Sequence, residues 1–422
     1  MGLDKVIFHI DVNSAFLSWE AVYRIYCLGG KTDLREQVAA VGGDMAMRHG
    51  IILAKSIPAK RFGIKTGETI LEAKQKCPEL ILVPPNYGLY EQCSHAFMDI
   101  LREYSPCVEQ YSIDEAFMDM TGTELLFDEP VVSANRIRER IRDELGFTVN
   151  IGISENKLLA KMASDFKKPD RVHTLWRSEL AEKLWPLPVS DLFFVGRATA
   201  AKLFKMGIKT IGQLAQTDVT FLKRCLKKHG EVIWAFANGY DTSVVRSEPE
   251  ANKGYGNSTT IAFDVTDAGT AKLVLLALAE TVGTRLREAG VGAEVVAVGI
   301  KTYDLRYASH QMVLPNATNI TNEIHRYACR LFDDLWDGSP IRHLGIHTSR
   351  IRDHVNMRQI DMFDHTDYEK LEQMDQAVDA IRRRYGNDAV MRAAFVGGRI
   401  DHMSGGISRE KRTVDYKRLH IE

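Results

Sequence analysis

The run Val6-Ile7-Phe8-His9-Ile10 has the composition of a buried strand, and it ends in a charge, Asp11. A carboxylate directly after an apolar strand emerges at the edge of a core. Asn13 or Ser14 is then placed to cap a helix running through Phe16, Trp19 and Tyr23. A second acidic position recurs in Gln110-Tyr111-Ser112-Ile113-Asp114-Glu115-Ala116-Phe117-Met118-Asp119, again flanked by apolar residues. Adjacent side chains of a regular strand face opposite ways. Asp114 and Glu115 can therefore share a site with Asp11 only if residues 112–114 form a hairpin tip or bulge beside the first strand. Singly, an Asp-Glu pair is ordinarily a solvated turn, and a strand-terminal Asp is ordinarily a cap. Three carboxylates on paired strands repel one another unless cations lie between them. Mg²⁺ suits one to three carboxylates, with its other positions left to water and phosphate oxygens. Two such ions roughly 3.5–4 Å apart serve in-line phosphoryl displacement.

Strands alternate with helices through the first part of the chain, which predicts an α/β body. Helices are expected near Ile70–Cys77, stopped before Pro78, and over Tyr90–Tyr104. Ser133 is expected to cap another that ends at Gly146. Thr148–Ile153 has strand character and Asn156–Phe166 is helical, closed by Lys167-Lys168-Pro169. From Trp176 to Tyr240 short helices are joined by glycine turns, and a polar, glycine-containing linker follows near 241–257. Beyond it the order is strand, long helix, two strands, helix, strand. This β-α-β-β-α-β succession is that of a compact split-βαβ domain. The final stretch reads as a polar tail with one helix near Tyr368–Arg384.

A chain of 422 residues exceeds what one core usually holds and implies several domains. The start lacks the basic stretch and apolar run of a signal peptide, and no run is long enough for a membrane span, so a cytoplasmic location is expected. The cysteines at 27, 77, 93, 107, 225 and 329 form no CxxC pair. They read as free thiols of a reducing compartment rather than a zinc site or disulfide framework. The net charge of −1 argues against tight, indiscriminate DNA binding, yet residues 177–240 carry ten Lys/Arg against five Asp/Glu. The distribution of charge, more than its sum, leaves nucleic acid open as a partner.

The string His9-Ile10-Asp11-Val12-Asn13-Ser14-Ala15-Phe16, with Tyr111-Ser112-Ile113-Asp114-Glu115-Ala116-Phe117, resembles the Y-family, lesion-bypassing DNA polymerases, polymerase IV and UmuC-type proteins among them. The likeness continues in Ala59-Lys60-Arg61-Phe62-Gly63-Ile64-Lys65-Thr66-Gly67 and in Gly152-Ile153-Ser154-Glu155-Asn156-Lys157-Leu158-Leu159-Ala160-Lys161. It extends through Gly196, Leu203 and Gly207-Ile208 and covers residues 5 to 350 or so.

The resemblance implies a right-hand polymerase: palm over 1–21 and 87–175, fingers over 22–86, helical thumb over 176–241. A linker over 242–253, a little finger over 254–352 and a C-terminal tail over 353–422 would complete it. Asp11, Asp114 and Glu115 would be the metal ligands for two Mg²⁺, helped by the Val12 carbonyl, with Ser112 a structural serine beside the acidic pair. Phe16 would be the steric gate against a ribose hydroxyl, although spacing alone favours a core phenylalanine. Ala15 stands where many relatives have a second aromatic, which opens the pocket floor. Lys60 and Lys161 would grip the triphosphate. Lys157 shares a helix face with Lys161 and suits phosphate charge equally well. Ile57 replaces a common tyrosine, so its hydrogen bond is missing or falls to Ser56.

Primer-template DNA would be met by a helix-hairpin-helix-like segment at Gly196 and Gly207 with Arg197, Lys202 and Lys205, and by Arg342 and His343 of the little finger. Phe194-Val195-Gly196 departs from the family's Gly-x-Gly. Gln359-Ile360-Asp361-Met362-Phe363 resembles a sliding-clamp-binding pentapeptide. By resemblance the enzyme would be a low-fidelity, monomeric polymerase of dNTPs without proofreading.

Two other readings compete. Gly42-Gly43-Asp44 suggests a GGDEF-type cyclase, but Met45-Ala46 follows where Glu-Phe is required. A polymerase-like accessory protein without catalysis would retain the DNA- and clamp-binding segments but has no need of three intact carboxylates.

Overall fold

The computed structural model describes residues 5–43, 50–353, 358–359 and 363–403. Its centre is a five-stranded sheet in the order Val108–Gln110, Glu115–Asp119, Ile7–Val12, Val149–Ser154, Val172–Thr174. All neighbours are antiparallel except the last pair. The period of two along Ile7–Val12 sorts its side chains. Phe8, Ile10 and Val12 enter a large core with helices Tyr87–Tyr104 and Pro130–Leu145. Ile7 joins a small cluster with Phe117 and Ala160, so His9 and Asp11 share the face covered by the helix Lys157–Ser164. That helix lies tightly on the sheet because the strand has glycine at 152, where a Cβ would stand 2.0 Å from the Ala160 carbonyl oxygen.

Two expected caps are replaced. Ser14 precedes the first helix, Ala15–Val22, with a φ of 50° and no side-chain cap bond. The Asn13 side chain instead bridges elements, donating to Asn150 and accepting from Thr148 Oγ1 and the Asp170 N–H. Ser133 lies inside the helix Pro130–Leu145 with its hydroxyl bonded to the Phe127 carbonyl. Pro130 starts that helix, as its missing N–H and fixed φ allow.

The strands Ile52–Lys55, Ala39–Gly42 and Ile81–Val83 form a three-stranded sheet with its own small core. The helices Arg197–Lys205, Ile211–Gln216, Val219–Leu226 and Lys228–Ala237 share a core with Leu158, Leu159 and Met162 of the helix Lys157–Ser164. The expected β-α-β-β-α-β unit is present. Strands Tyr307–Thr318, Val291–Thr302, Ile341–Asp353 and Gly254–Val265 make an antiparallel sheet in that order, and helices Ala268–Glu288 and Thr321–Leu335 share its core.

The C-terminal stretch differs from the expected free tail. Helix Tyr368–Tyr385 docks on this unit through buried ion pairs: Arg287 to Asp379 at 2.6 Å and to Asp375 at 3.1 Å, and Arg382 to Glu280 at 2.5 Å. Phe395 and Ile400 enter the same core. Three of the helix's charged side chains are buried and paired inside the fold, while most of the others face water. No helix among the described residues is long and apolar enough to cross a membrane.

Candidate active site

The first strand and the hairpin after Gln110 bring the acidic residues together. Asp11 pairs in register with Glu115. Residues 112–114 form the tip expected from their sequence, held by Tyr111 and Ser112 N–H groups donating to the Glu115 carbonyl. The Val12 N–H donates to the Asp114 carbonyl at 3.0 Å, tying the tip to the strand. Ser112 Oγ donates to Asp114 Oδ1 at 2.7 Å, which fixes that carboxylate's rotamer. Asp11, Val12, Ser14, Ala15, Phe16, Leu53, Ala54, Lys55, Thr66, Asp114 and Glu115 line one open cavity of about 230 Å³.

Two lysines neutralise the carboxylates. Lys161 Nζ lies 2.5 Å from Glu115 Oε1 and 3.5 Å from Asp11 Oδ2. Lys168 Nζ lies 2.9 Å from Asp11 Oδ2 and 2.9 Å from Asp165 Oδ1. Burial pushes the Asp11 carboxyl up to about 6 against the opposing pull of Lys168 and Lys161. Burial also acts upward on Glu115, but the neighbouring His9 and the hydrogen-bonded Lys161 outweigh it and hold the carboxyl well below its usual range. Both lysines are raised despite burial: Asp165 and Glu115 hold Lys161 protonated, and Asp11 and Asp165 do so for Lys168.

Among the described residues no three His, Cys, Asp or Glu side chains form a ready-made metal cage. The donor chemistry nonetheless fits hard divalent cations: carboxylates gathered at one cavity, whose charge two ammonium groups now balance.

Phe16 is half-buried at the cavity wall, stacked on Tyr90 (4.4 Å, 9°) with Tyr87 edge-on at 6.2 Å. Ala15 beside it is buried. Ser56 does not offer its hydroxyl to the cavity: it caps the helix Ile57–Arg61 by accepting from the Ala59 N–H and donates to the Gln37 carbonyl. Lys60 and Ile57 are exposed on that helix, outside the cavity lining. Lys157 is turned away, bonded to Glu109 and lying 4.6 Å over the Phe117 ring, so the phosphate role open to it in the sequence does not hold here.

Sequence reasoning missed Lys55, which lines the cavity and donates to Thr66 Oγ1 at 3.0 Å, and Lys168. In the sequence Lys168 reads as a helix-closing charge. Its partner Asp11 is 157 residues away, and no local pattern signals that pairing.

Gly196 is the exposed N-cap of Arg197–Lys205, with open space where a Cβ would stand, and Gly207 has a φ of +81°. Arg197, Lys202 and Lys205 are exposed. Phe194, where the family pattern has glycine, takes a left-handed φ of 72° that suits glycine better. Arg342 and His343 are half-buried on the sheet of the C-terminal unit, with His343 Nδ1 3.1 Å from Thr260 Oγ1. Ile360, Asp361 and Met362 lie outside the described residues. Beside them the Gln359 N–H donates to Asn316 and Phe363 is exposed.

An acidic hairpin on a central, mostly antiparallel sheet, beside a small three-stranded unit and a helical unit, has the form of a palm-type nucleotidyltransferase. The impB/mucB/samB family matches residues 10–165, its C-terminal domain matches 252–362, and the IMS family HHH motif matches 177–208. A DNA polymerase IV of Clostridium acetobutylicum is 44% identical over 93% of this chain and 99% of its own. DNA polymerase IV 1 of Bacillus subtilis is 37% identical over 93% and 94%. A Y-family DNA polymerase chimera of known structure shares the fold, with a TM-score of 0.71 at 20% identity over 83% of this chain and all of its own. The chain therefore belongs to the impB/mucB/samB family of Y-family DNA polymerases.

Proposed function

We propose that this chain is a template-directed DNA polymerase for translesion synthesis, adding dNMP to a primer 3′-hydroxyl and releasing pyrophosphate. The observation that carries the reading is the register pairing of Asp11 with Glu115, with Asp114 at the adjoining tip, around one cavity walled by Phe16. Asp11, Asp114 and Glu115, with the Val12 carbonyl, would hold two Mg²⁺. Bound there, such ions supply a lowered pKa for the primer hydroxyl and charge compensation for the departing pyrophosphate.

The chain's own residues do the rest. Lys161 and Lys168 keep the carboxylates balanced before the substrate arrives and are free to turn to a triphosphate once cations replace them. Lys55 and Thr66 offer a donor and a hydroxyl on the opposite wall, supporting a triphosphate contact where Ile57 and Ser56 offer none. The Phe16 ring closes the wall on the sugar side.

The palm, fingers, thumb and little finger have the boundaries given above, except that the little finger extends through the docked helix Tyr368–Tyr385. Arg197, Lys202 and Lys205, with the N-terminus of Arg197–Lys205 at Gly196, suit the phosphates of primer-template DNA, and Arg342 and His343 suit the template strand. Residues 359–363 bind a sliding clamp, and the protein works as a cytoplasmic monomer.

Primer extension on a template with an abasic site tests this reading. With Mg²⁺ and dNTPs the protein extends past the lesion, and chelation stops it. No incorporation on damaged or undamaged template overturns it.

A further inference from the structure

His9 shares the apolar run of Asp11, and the chemistry above gives it no task. It is fully buried against the Phe117 ring, an environment that favours the neutral imidazole with its one N–H. Phe117 covers the ring at 4.6 Å, and Gly152 is its register neighbour on the other side. Its Nδ1 lies 2.8 Å from Ser164 Oγ, and that hydroxyl lies 2.8 Å from the Lys161 carbonyl oxygen. Its Nε2 has no hydrogen-bond partner although buried, and faces Glu115 Oε2 at 3.8 Å. A buried imidazole nitrogen left unpaired beside a catalytic carboxylate is uncommon in a native interior.

The Ser164 hydroxyl has one hydrogen. When it donates to the Lys161 carbonyl, the His9 proton sits on Nδ1 and the bare Nε2 faces Glu115. When it turns to Nδ1, the proton sits on Nε2, aimed at Oε2. While Lys161 Nζ holds Glu115 Oε1 at 2.5 Å, the carboxylate has its donor. A triphosphate that draws Lys161 away removes it.

We infer that His9 is a positioning residue, whose Nε2–H then donates to Glu115 Oε2 and fixes the carboxylate from beneath while Ser164 switches its hydrogen to Nδ1. The Nδ1–H bond breaks with its proton passing to solvent, Nε2 takes one from solvent, and the Ser164 hydroxyl only rotates, so the proton count is conserved. The inference rests on Glu115 being a ligand of the catalytic cation, as proposed above. Histidine is also the residue that can face both partners at once, with one ring nitrogen toward Ser164 and the other toward Glu115.

Three variants of the full chain separate the roles. H9F keeps the ring volume, H9N keeps a polar group where Nδ1 stands, and H9Q reaches the place of Nε2. Binding of Mg²⁺ with dNTP is measured on a primer-template complex ended by a dideoxynucleotide, so that no turnover occurs. H9F and H9N should bind ~10-fold more weakly, as loss of an orienting partner behind a metal ligand typically does. DNA affinity should be unchanged, and H9Q should stay within about threefold of wild type. Nitrogen-15 spectra of wild-type His9 should show Nδ1–H in the free protein and Nε2–H in the loaded complex, a readout that survives if a variant misfolds. Wild-type binding by H9F, or the same tautomer in both states, overturns the inference. Inactivity of the wild-type enzyme itself would instead overturn the polymerase reading.

Discussion

Replacing Phe16 by alanine tests the geometry of sugar selection. The ring stacks on Tyr90 at 4.4 Å, lies 5.9 Å from Trp19 and meets Tyr87 edge-on at 6.2 Å. Tyr90 is itself pinned, its hydroxyl donating to buried Glu20 at 3.0 Å. A ribose hydroxyl that pushed the ring aside would break these contacts. At ~0.5–1.5 kcal/mol for each aromatic pair, three pairs oppose it by about 1.5–4.5 kcal/mol. That is roughly a ten- to thousandfold discrimination, whose upper part exceeds the ~100-fold that an apolar pocket gives against an added hydroxyl.

Phe16→Ala should therefore raise rNTP relative to dNTP incorporation within that range and leave base choice largely intact. Its stability cost should fall below the ~3–5 kcal/mol of a fully buried phenylalanine, because the ring is half-exposed to the cavity. Single-nucleotide incorporation with both sugars, beside a melting curve, decides the matter. An unchanged sugar ratio with a collapsed melting temperature would show that Phe16 is only a core residue.

Lys168→Met removes a cation that sits 2.9 Å from Asp11, so calorimetry should show Mg²⁺ binding the free protein more tightly, by up to about tenfold. Weaker binding would mean that Lys168 orders the site rather than competing for it. Glu280→Ala leaves Arg382 buried without its partner, which should cost about 3–5 kcal/mol and make residues 254–403 melt first in calorimetry. Burial alone would raise the Glu280 carboxyl, but Arg392 and Arg382 hold it below its usual 4.5. The stability it lends is thus present above pH 4.5 and lost as pH falls through the lower folded-state value. That acid loss, followed by near-ultraviolet circular dichroism, should be absent from the variant. Alanine at Gln359, Met362 and Phe363 should spare bare primer extension and remove stimulation by the sliding clamp, while clamp capture by the variant would contradict the assignment.

Much of the fold was legible because it follows short-range rules. The apolar run ending in Asp11 marked the first strand and its core edge, the opposite facing of adjacent strand residues demanded a tip at 112–114, and strand-helix order gave the C-terminal unit. What escaped depends on distant partners. Lys168 reads as a solvated charge until Asp11 stands beside it. Glu280, Arg287, Asp375 and Arg382 look like a wet helix surface in sequence, since a buried ion pair and two exposed charges are spelled alike. Ser56 and Asn13 were assigned by residue type, and each hydrogen-bonds across the fold instead. Lys55 went unnoticed because its cavity exists only once two sheets approach.

The central claim is that the cluster of Asp11, Asp114 and Glu115 performs nucleotidyl transfer. Single-turnover primer extension by Asp11→Asn and Asp114→Asn, with DNA affinity measured in parallel, tests it most directly. Both changes are nearly isosteric and remove charge, so the fold should survive. The account predicts that each variant binds primer-template like wild type and extends it at less than a few per cent of the wild-type rate, as when a group needed only for the chemical step is lost. Extension near the wild-type rate by either variant would contradict it.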